Sequence, residues 1–411
     1  MRAKRGRPWL SRLTRVPSEA TLGHLFGLTG GIVTRRCAVE LDRYVALQDD
    51  CSRMSIATHR LRNQRLIGPL FDTPQAVVRW HGAVQAQDYH GAKWALALRS
   101  RDADAAALDR AFNEGEFLRT HVMRPTWHFV APEDIRWLLA LTGSRVHAAN
   151  AYYYRKLELD EDTFRRSHVI LAETLEGSRF LTRPELARAL EAGGIMASGQ
   201  RLAYLVMHAE LDGLVCSGPL RGKQHTYALL DERVPPTPSL PRDEALAELT
   251  RRYFVSHGPA TVHDFAWWSG LTVSDVRAGL ELIGSEVEQM ELDGKTYWTG
   301  APVRTTEAVE QVVRLLPNYD EHVVAYKDHG PSLDPAARDA LCSRTDGPLD
   351  AHLVTRAGLV VGGWRRTLEK GGVVVKADLL VVLRHKEQAA LEQAAEGYGR
   401  FIRLPVVLRG V

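Results

Sequence analysis

The chain lacks any run of about 18 to 20 apolar residues, the length a membrane-spanning helix needs. Its start shows no charged segment leading into an apolar core and a small-residue cleavage site. A cytoplasmic protein without membrane attachment is the expectation. Cysteine is scarce: four residues, Cys37, Cys51, Cys216 and Cys342, none in a CxxC pair or at zinc-ligand spacing from a histidine. A zinc knuckle or redox dithiol finds no support there, and the thiols are expected to be free, mostly core filler. Nucleotide cradles are lacking too. The glycines at Gly358 to Gly363 and Gly371-Gly372 lie in β-rich surroundings without a Gly-Lys-Ser/Thr, and no GxSxG elbow or HExxH helix is found. No cofactor and no metal are expected.

Charge of one sign is also missing: 53 Lys and Arg stand against 50 Asp and Glu, a net of +3. Residues 1 to 53 hold ten basic residues and five acids, a net of +5, so the remainder carries −2. Any affinity for nucleic acid must then come from where charges sit in the body. What is present is ordinary globular material, 411 residues with 45% apolar and 25% charged, enough for two to four domains. The first fifty residues have no sustained apolar period. They are expected to be a poorly ordered basic extension, the alternative being an arm that tracks phosphates.

From Met54 helical blocks alternate with strand pairs. Pro74 opens a helix capped by Asp72 or Thr73, a strand-like run covers Trp94 to Arg99, and a helix covers Ala105 to Phe112. Two β segments from Phe117 to Val130 join near Arg124-Pro125. A helix from Pro132 through Leu141 follows, with Pro in the first turn. A further helix is expected over Arg166 to Leu175. Thr182 and Glu185 form a capping box for a helix from Pro184 to Glu191. A third helix, Gln200 to Leu211, leads into strands Leu214 to Ser217 and Thr226 to Leu229 around the basic loop Arg221 to His225. Three helices and a basic hairpin match the winged-helix plan. A small helix-hairpin module with no nucleic acid is the plainer alternative. Past the proline-rich linker 235–241 the plan returns, with helices Glu244 to Val255, Val262 to Trp268 and Thr272 to Ile283. Strands Val287 to Leu292 and Tyr297 to Thr299 then flank Asp293-Gly294. After about Arg304 short β runs dominate: Val312 to Leu316, His322 to Ala325, His352 to Thr355, Leu359 to Gly362, Val373 to Lys376 and Leu379 to Leu383. They predict a small β-barrel interrupted by a helix from Glu387 to Tyr398.

Gln85-Ala86-Gln87 follows the helix that ends near Val84. Neutral amides offer a carbonyl acceptor and N–H donors without charge. On a helix, residues two apart point about 200° from one another, so both amides reach one pocket only if the segment is extended with Ala86 facing the core. Alone, the tripeptide is weak evidence and reads first as two surface glutamines at a helix end.

Four blocks in order, Ala83 to Asp88, Leu118 to Val130, Leu315 to Glu321 and Gly358 to Arg365, resemble the AlkZ-like winged-helix DNA glycosylase family. The similarity runs from about Met54, where such proteins begin, to the C-terminus. It implies an α+β fold of three tandem winged-helix domains followed by a C-terminal β-barrel, together a C-shaped cradle for duplex DNA. The corresponding boundaries are 1–53 extension, 54–165 with the catalytic motif, 166–234, 242–303 and 304–411. It implies a monofunctional glycosylase that excises N7-alkylated purines and unhooks interstrand crosslinks, with Gln85 and Gln87 as the catalytic pair of the double-glutamine branch. Asp88 and Asp320 are candidates for an accessory charge effect or for ion pairs with Arg. Arg119, His121, Arg124 and His128 on the hairpin, and Arg221, Lys223 and His225 on the second wing, are candidate DNA contacts, while Trp127 and Phe129 are expected in the core. His121 and His128 are better read as structural histidines than as metal ligands. A monomer without an obligate protein partner is expected, acting on double-stranded DNA with alkylated bases. The alternatives are a non-catalytic winged-helix DNA-binding protein or transcription regulator, and a protein-interaction scaffold.

Overall fold

The computed structural model describes residues 56–301, 308–342 and 352–410. The expectations for residues 1 to 53, the start at Met54, the boundary at Arg304, and Cys37 and Cys51 lie outside them, as does the side chain of Cys342. Cys216 is a buried free thiol.

Thr73 starts helix Pro74–His81 by accepting a hydrogen bond from the Ala76 N–H, and Gly82 at φ +79° ends it. Strand β1 (Val84–Gln85), helices Tyr89–Ala97 and Ala105–Glu114, and strands β2 (Leu118–Val122) and β3 (Arg124–Val130) follow. The strands pair in the order β1-β3-β2. The strand expected over Trp94 to Arg99 is instead helical down to Ala97. Asp88 caps that helix through the N–H groups of His90 and Gly91, and Tyr89, Ala92, Trp94, Ala95 and Leu96 are all buried. A helix buried on most sides leaves no polar face to mark its period, so the alternation of large and small residues mimicked a strand.

Helix Ile135–Lys156 runs 22 residues, well past Leu141. Gly143 lets it cross closely over helix Gly199–Leu211, because a Cβ there would lie 3.1 Å from the Leu211 carbonyl. Helix Glu161–Leu175 begins five residues before Arg166, capped by Asp160, which accepts from the Thr163 N–H. Then come β4 (Leu181–Thr182), helix Arg183–Ala192 with its Thr182/Glu185 capping box, helix Gly199–Leu211, β5 (Val215–Ser217) and β6 (Thr226–Leu229), paired β4-β6-β5. The sequence of elements appears a third time. Helices Arg242–Ser256, Val262–Ser269 and Val273–Ile283 precede β7 (Glu288–Leu292) and β8 (Lys295–Thr299), and Ala260 bridges to Trp298 as the short first strand. The β7–β8 turn places Asp293 and Gly294 at φ +50° and +68°, as a two-residue hairpin turn demands. Helix 56–63 joins this third unit, with Arg60 and Asn63 donating to the carbonyls of Pro259 and Gly258.

The C-terminal strands do not close. Strands β9 (Val313–Leu316), β10 (His352–Arg356), β11 (Leu359–Glu369), β12 (Gly372–Leu379) and β13 (Val406–Arg409) form one open sheet, ordered β13-β12-β11-β10-β9. After β12 the chain crosses over through helix His385–Ile402 and returns parallel in β13, so this helix covers the face that barrel closure would have enclosed. The expected strand Leu379 to Leu383 is absent, β12 ending at Leu379. The expected strand His322 to Ala325 is a short helix, Glu321–Val324, because Asp320 accepts from the His322 N–H and starts a helical turn. Leu315, Val361, Val373 and Val375 of the sheet share one core with Leu391, Tyr398 and Phe401 of the covering helix and with Leu108 and Phe112 of helix Ala105–Glu114.

Candidate active site

Val84 and Gln85 form a short strand between the end of one helix and the bend that starts the next. Val84 and Gln85 pair with Phe129 and His128, and the Ala86 N–H continues the ladder to the Trp127 carbonyl at 2.7 Å. Gln85 is the last residue of the strand, and Gln87 lies beyond it in the bend that leads into helix Tyr89–Ala97. Ala86 is fully buried, Gln85 is 6% exposed, and Gln87 is exposed.

Three charged side chains hold this segment. Glu321 accepts the Gln85 N–H at 2.6 Å and, through its other oxygen, the Trp268 indole N–H at 2.8 Å, with His257 Nε2 at 3.4 Å. Burial pushes the Glu321 carboxyl up, but His257 and the Gln85 N–H outweigh it and hold the group at about 2, so it is ionised at neutral pH. Arg119 donates to the Ala86 carbonyl at 3.0 Å and to the Gln87 carbonyl at 3.4 Å, with its guanidinium 4.3 Å over Trp127. Arg124 donates to the Gln85 side-chain oxygen at 2.9 Å.

Several side chains proposed for DNA are thus occupied inside. Arg119 is buried against the segment, and Arg124 is half-buried on Gln85. His121 is buried, hydrogen-bonded to Glu210 and 4.3 Å from Trp127, which is itself half-buried; Phe129 is in the core. His128 is fully buried, its Nδ1 3.0 Å from the Thr126 carbonyl, and burial brings its pKa down to about 3. A neutral ring with Nδ1–H donating leaves Nε2 as an acceptor, and that atom has no partner among the described residues. Being directly cross-strand, it shares a face of the ladder with Gln85. His225 packs its ring 4.8 Å from Tyr89 and is brought down to about 4 by burial, so it is neutral at physiological pH. On the second wing Arg221 is exposed but paired with Glu185 at 2.8 Å, and Lys223 is exposed.

Asp88 caps its helix and, among the described residues, makes no ion pair with an Arg. Asp320 does, meeting Arg99 bidentately at 2.7 and 2.9 Å in full burial, while Gln64 accepts from the same guanidinium. Glu321, Arg99 and Gln64 escaped sequence reasoning. The signal for Glu321 was its place beside Asp320: with Asp320 turned to cap the helix, the next side chain is free to face Gln85. Among the described residues, the group of histidines and carboxylates near enough to hold an ion is elsewhere, at His147, His208 and Asp212.

The model for the AlkZ-like DNA glycosylases matches residues 78–401. Among curated proteins the chain is similar to an interstrand DNA cross-link repair glycosylase of Streptomyces sahachiroi, 27% identical over 314 residues, 68% of this chain and 79% of that protein. Its fold is similar to the solved structure of the Streptomyces sahachiroi DNA glycosylase AlkZ, with TM-score 0.68 and 23% identity over 87% of this chain and 99% of that one. Fold and family match together define a DNA glycosylase. The chain belongs to the AlkZ-like DNA glycosylase family. No helix among the described residues is long and apolar enough to cross a membrane.

Proposed function

We propose that this protein is a monofunctional glycosylase that removes N7-alkylated purines from duplex DNA. The observation that carries the reading is the Gln85 segment itself, a strand-end amide followed two residues on by Gln87, whose main chain is fixed by Glu321 on one side and Arg119 on the other. An N7-alkylguanine is already cationic, so the base leaves without a strong general acid. What is left is to hold a water at the anomeric carbon and to favour the positive charge growing on the sugar. Arg124 takes one lone pair of the Gln85 carbonyl, leaving the other and the N–H donors for a water. His128 Nε2 is the acceptor on the same face. The buried Glu321 carboxylate offsets the charge of Arg124. No lysine is required, so the product is an abasic site.

The three units of like element order are winged-helix modules in this reading, and with the C-terminal sheet they cradle the duplex as a monomer. Unhooking of interstrand crosslinks is the corresponding role, supported by the activity named for the Streptomyces relative. Incubating the protein with a duplex carrying one N7-methylguanine and then with alkali is expected to cleave the strand at that site. Salt-sensitive binding with no cleavage of this or a crosslinked duplex would favour a non-catalytic DNA-binding protein.

Burial sorts the basic residues. A cation on a phosphate releases counterions and adds about 0.9 to the slope of log K against log salt. Lys223→Ala is expected to lower that slope by about this amount. Arg119→Met is expected to leave it unchanged while slowing excision, because Arg119 is spent on the Ala86 and Gln87 carbonyls. Binding isotherms across salt concentration check both.

A further inference from the structure

Where helix Ile135–Lys156 meets helices Glu161–Leu175 and Gly199–Leu211, three imidazoles surround one carboxylate. His147 Nε2 lies 2.9 Å from Asp212 Oδ1, and His208 Nδ1 lies 3.2 Å from Asp212 Oδ2. His168 completes the ring, with Nε2 3.2 Å from His208 Nδ1 and Nδ1 3.8 Å from Asp212 Oδ2. The donor atoms of His147, His208 and Asp212 all lie within 4.8 Å of one another. We propose that His147, His208 and Asp212, with His168 as fourth ligand, form a zinc site that fastens these three helices together.

Spacing is the first argument. A tetrahedral zinc with bonds of roughly 2.0 to 2.1 Å has donor atoms roughly 3.3 Å apart along each edge. The contacts of His147 Nε2 and His208 Nδ1 with the two Asp212 oxygens, 2.9 and 3.2 Å, and of His168 Nε2 with His208 Nδ1, 3.2 Å, are close to that value. His208 and Asp212 stand four residues apart at the end of one helix, the separation that puts two ligands on one face.

Ring orientation is the second. Phe164 stacks on the His208 ring at 3.7 Å between centroids and 18° between planes. The Tyr154 hydroxyl lies 3.0 Å from His147 Nδ1. Such a partner lets Nδ1 keep its proton and leaves the Nε2 lone pair for a metal, the usual outer support of a ligating histidine. Three nitrogens and one oxygen of borderline softness suit zinc better than magnesium or calcium. Four protein donors make the site closed, hence structural.

The expectation that no metal is held rested on spacing along the chain. Positions 147, 168, 208 and 212 form no recognisable ligand pattern there, and only the crossing of three helices gathers them. The site shares no residue with the Gln85 segment, so its test is independent of the glycosylase reading.

The experiment is a titration of the full chain, stripped by a chelator, with Co²⁺ and then Zn²⁺. One Co²⁺ per chain with the intense visible d–d bands of tetrahedral coordination is expected, displaced by Zn²⁺. Tm is expected to rise with the logarithm of free zinc. Both signals should vanish in His208→Ala and in Asp212→Asn, and Tyr154→Phe should weaken binding about tenfold. Should His208→Ala not fold, Asp212→Asn, at a half-exposed helix end, decides alone. No d–d band and no zinc-dependent Tm in the wild type, or a band undiminished in Asp212→Asn, overturns the proposal.

Discussion

Gln85→Ala is expected to slow single-turnover excision of N7-methylguanine by about 10²- to 10³-fold, the usual cost of removing one preorganised dipole from a site where charge develops. The anchor of the segment should survive, because Glu321 holds the main-chain N–H of residue 85, which alanine retains. Duplex affinity is expected to stay at the wild-type level. Gln87→Ala should cost less, since Gln87 is exposed and its amide exchanges with water, whereas Gln85 is 6% exposed and fixed by Arg124. Alkali-revealed cleavage under enzyme excess, beside fluorescence anisotropy for binding, separates the two effects. A Gln85→Ala protein with wild-type excision would remove the amide from the mechanism.

Asp320→Ala is expected to lower the free energy of unfolding by about 3 to 5 kcal/mol, because it leaves the Arg99 guanidinium buried without its charge partner. Burial pushes the Asp320 carboxyl up, but the charge and hydrogen bonds of Arg99 and the His322 N–H bring it net below its ordinary value. A carboxyl depressed in the folded state binds fewer protons than in the unfolded chain. Its contribution is therefore complete above the unfolded value of about 3.9 and is lost as pH falls through the folded value. Denaturant midpoints measured from neutral pH down to this range should converge between wild type and Asp320→Ala as acid is added. A constant gap would mean the pair does not titrate with folding.

The helix starts were legible because capping is local chemistry. Thr73 and Thr182 with Glu185 each announce a helix within four residues, and the side chains make those bonds. The extended Gln85 segment was legible only as a condition, that Ala86 face the core. What failed needed tertiary information. Trp94 to Ala97 alternates like a strand yet is helical because every side finds a neighbour. The barrel does not close because the chain crosses over after β12 through helix His385–Ile402, which takes the inner face. Arg119, His121, His128 and His225 look like a basic surface in sequence, and their burial follows from the packing of the hairpin on the second repeat, to which the Arg119 N–H is tied through Ser217. Glu321 and Arg99 are recruited across more than two hundred residues.

Helix Ala105–Glu114 packs Leu108, Ala111 and Phe112 into the core shared with helix His385–Ile402, Asp104 at its start is tied to Arg403, and Ala106, Arg110 and Glu114 stay exposed. On the winged-helix reading proposed above it would be the recognition helix of the first module, and its attachment to the C-terminal helix would fix the direction in which that exposed face meets DNA.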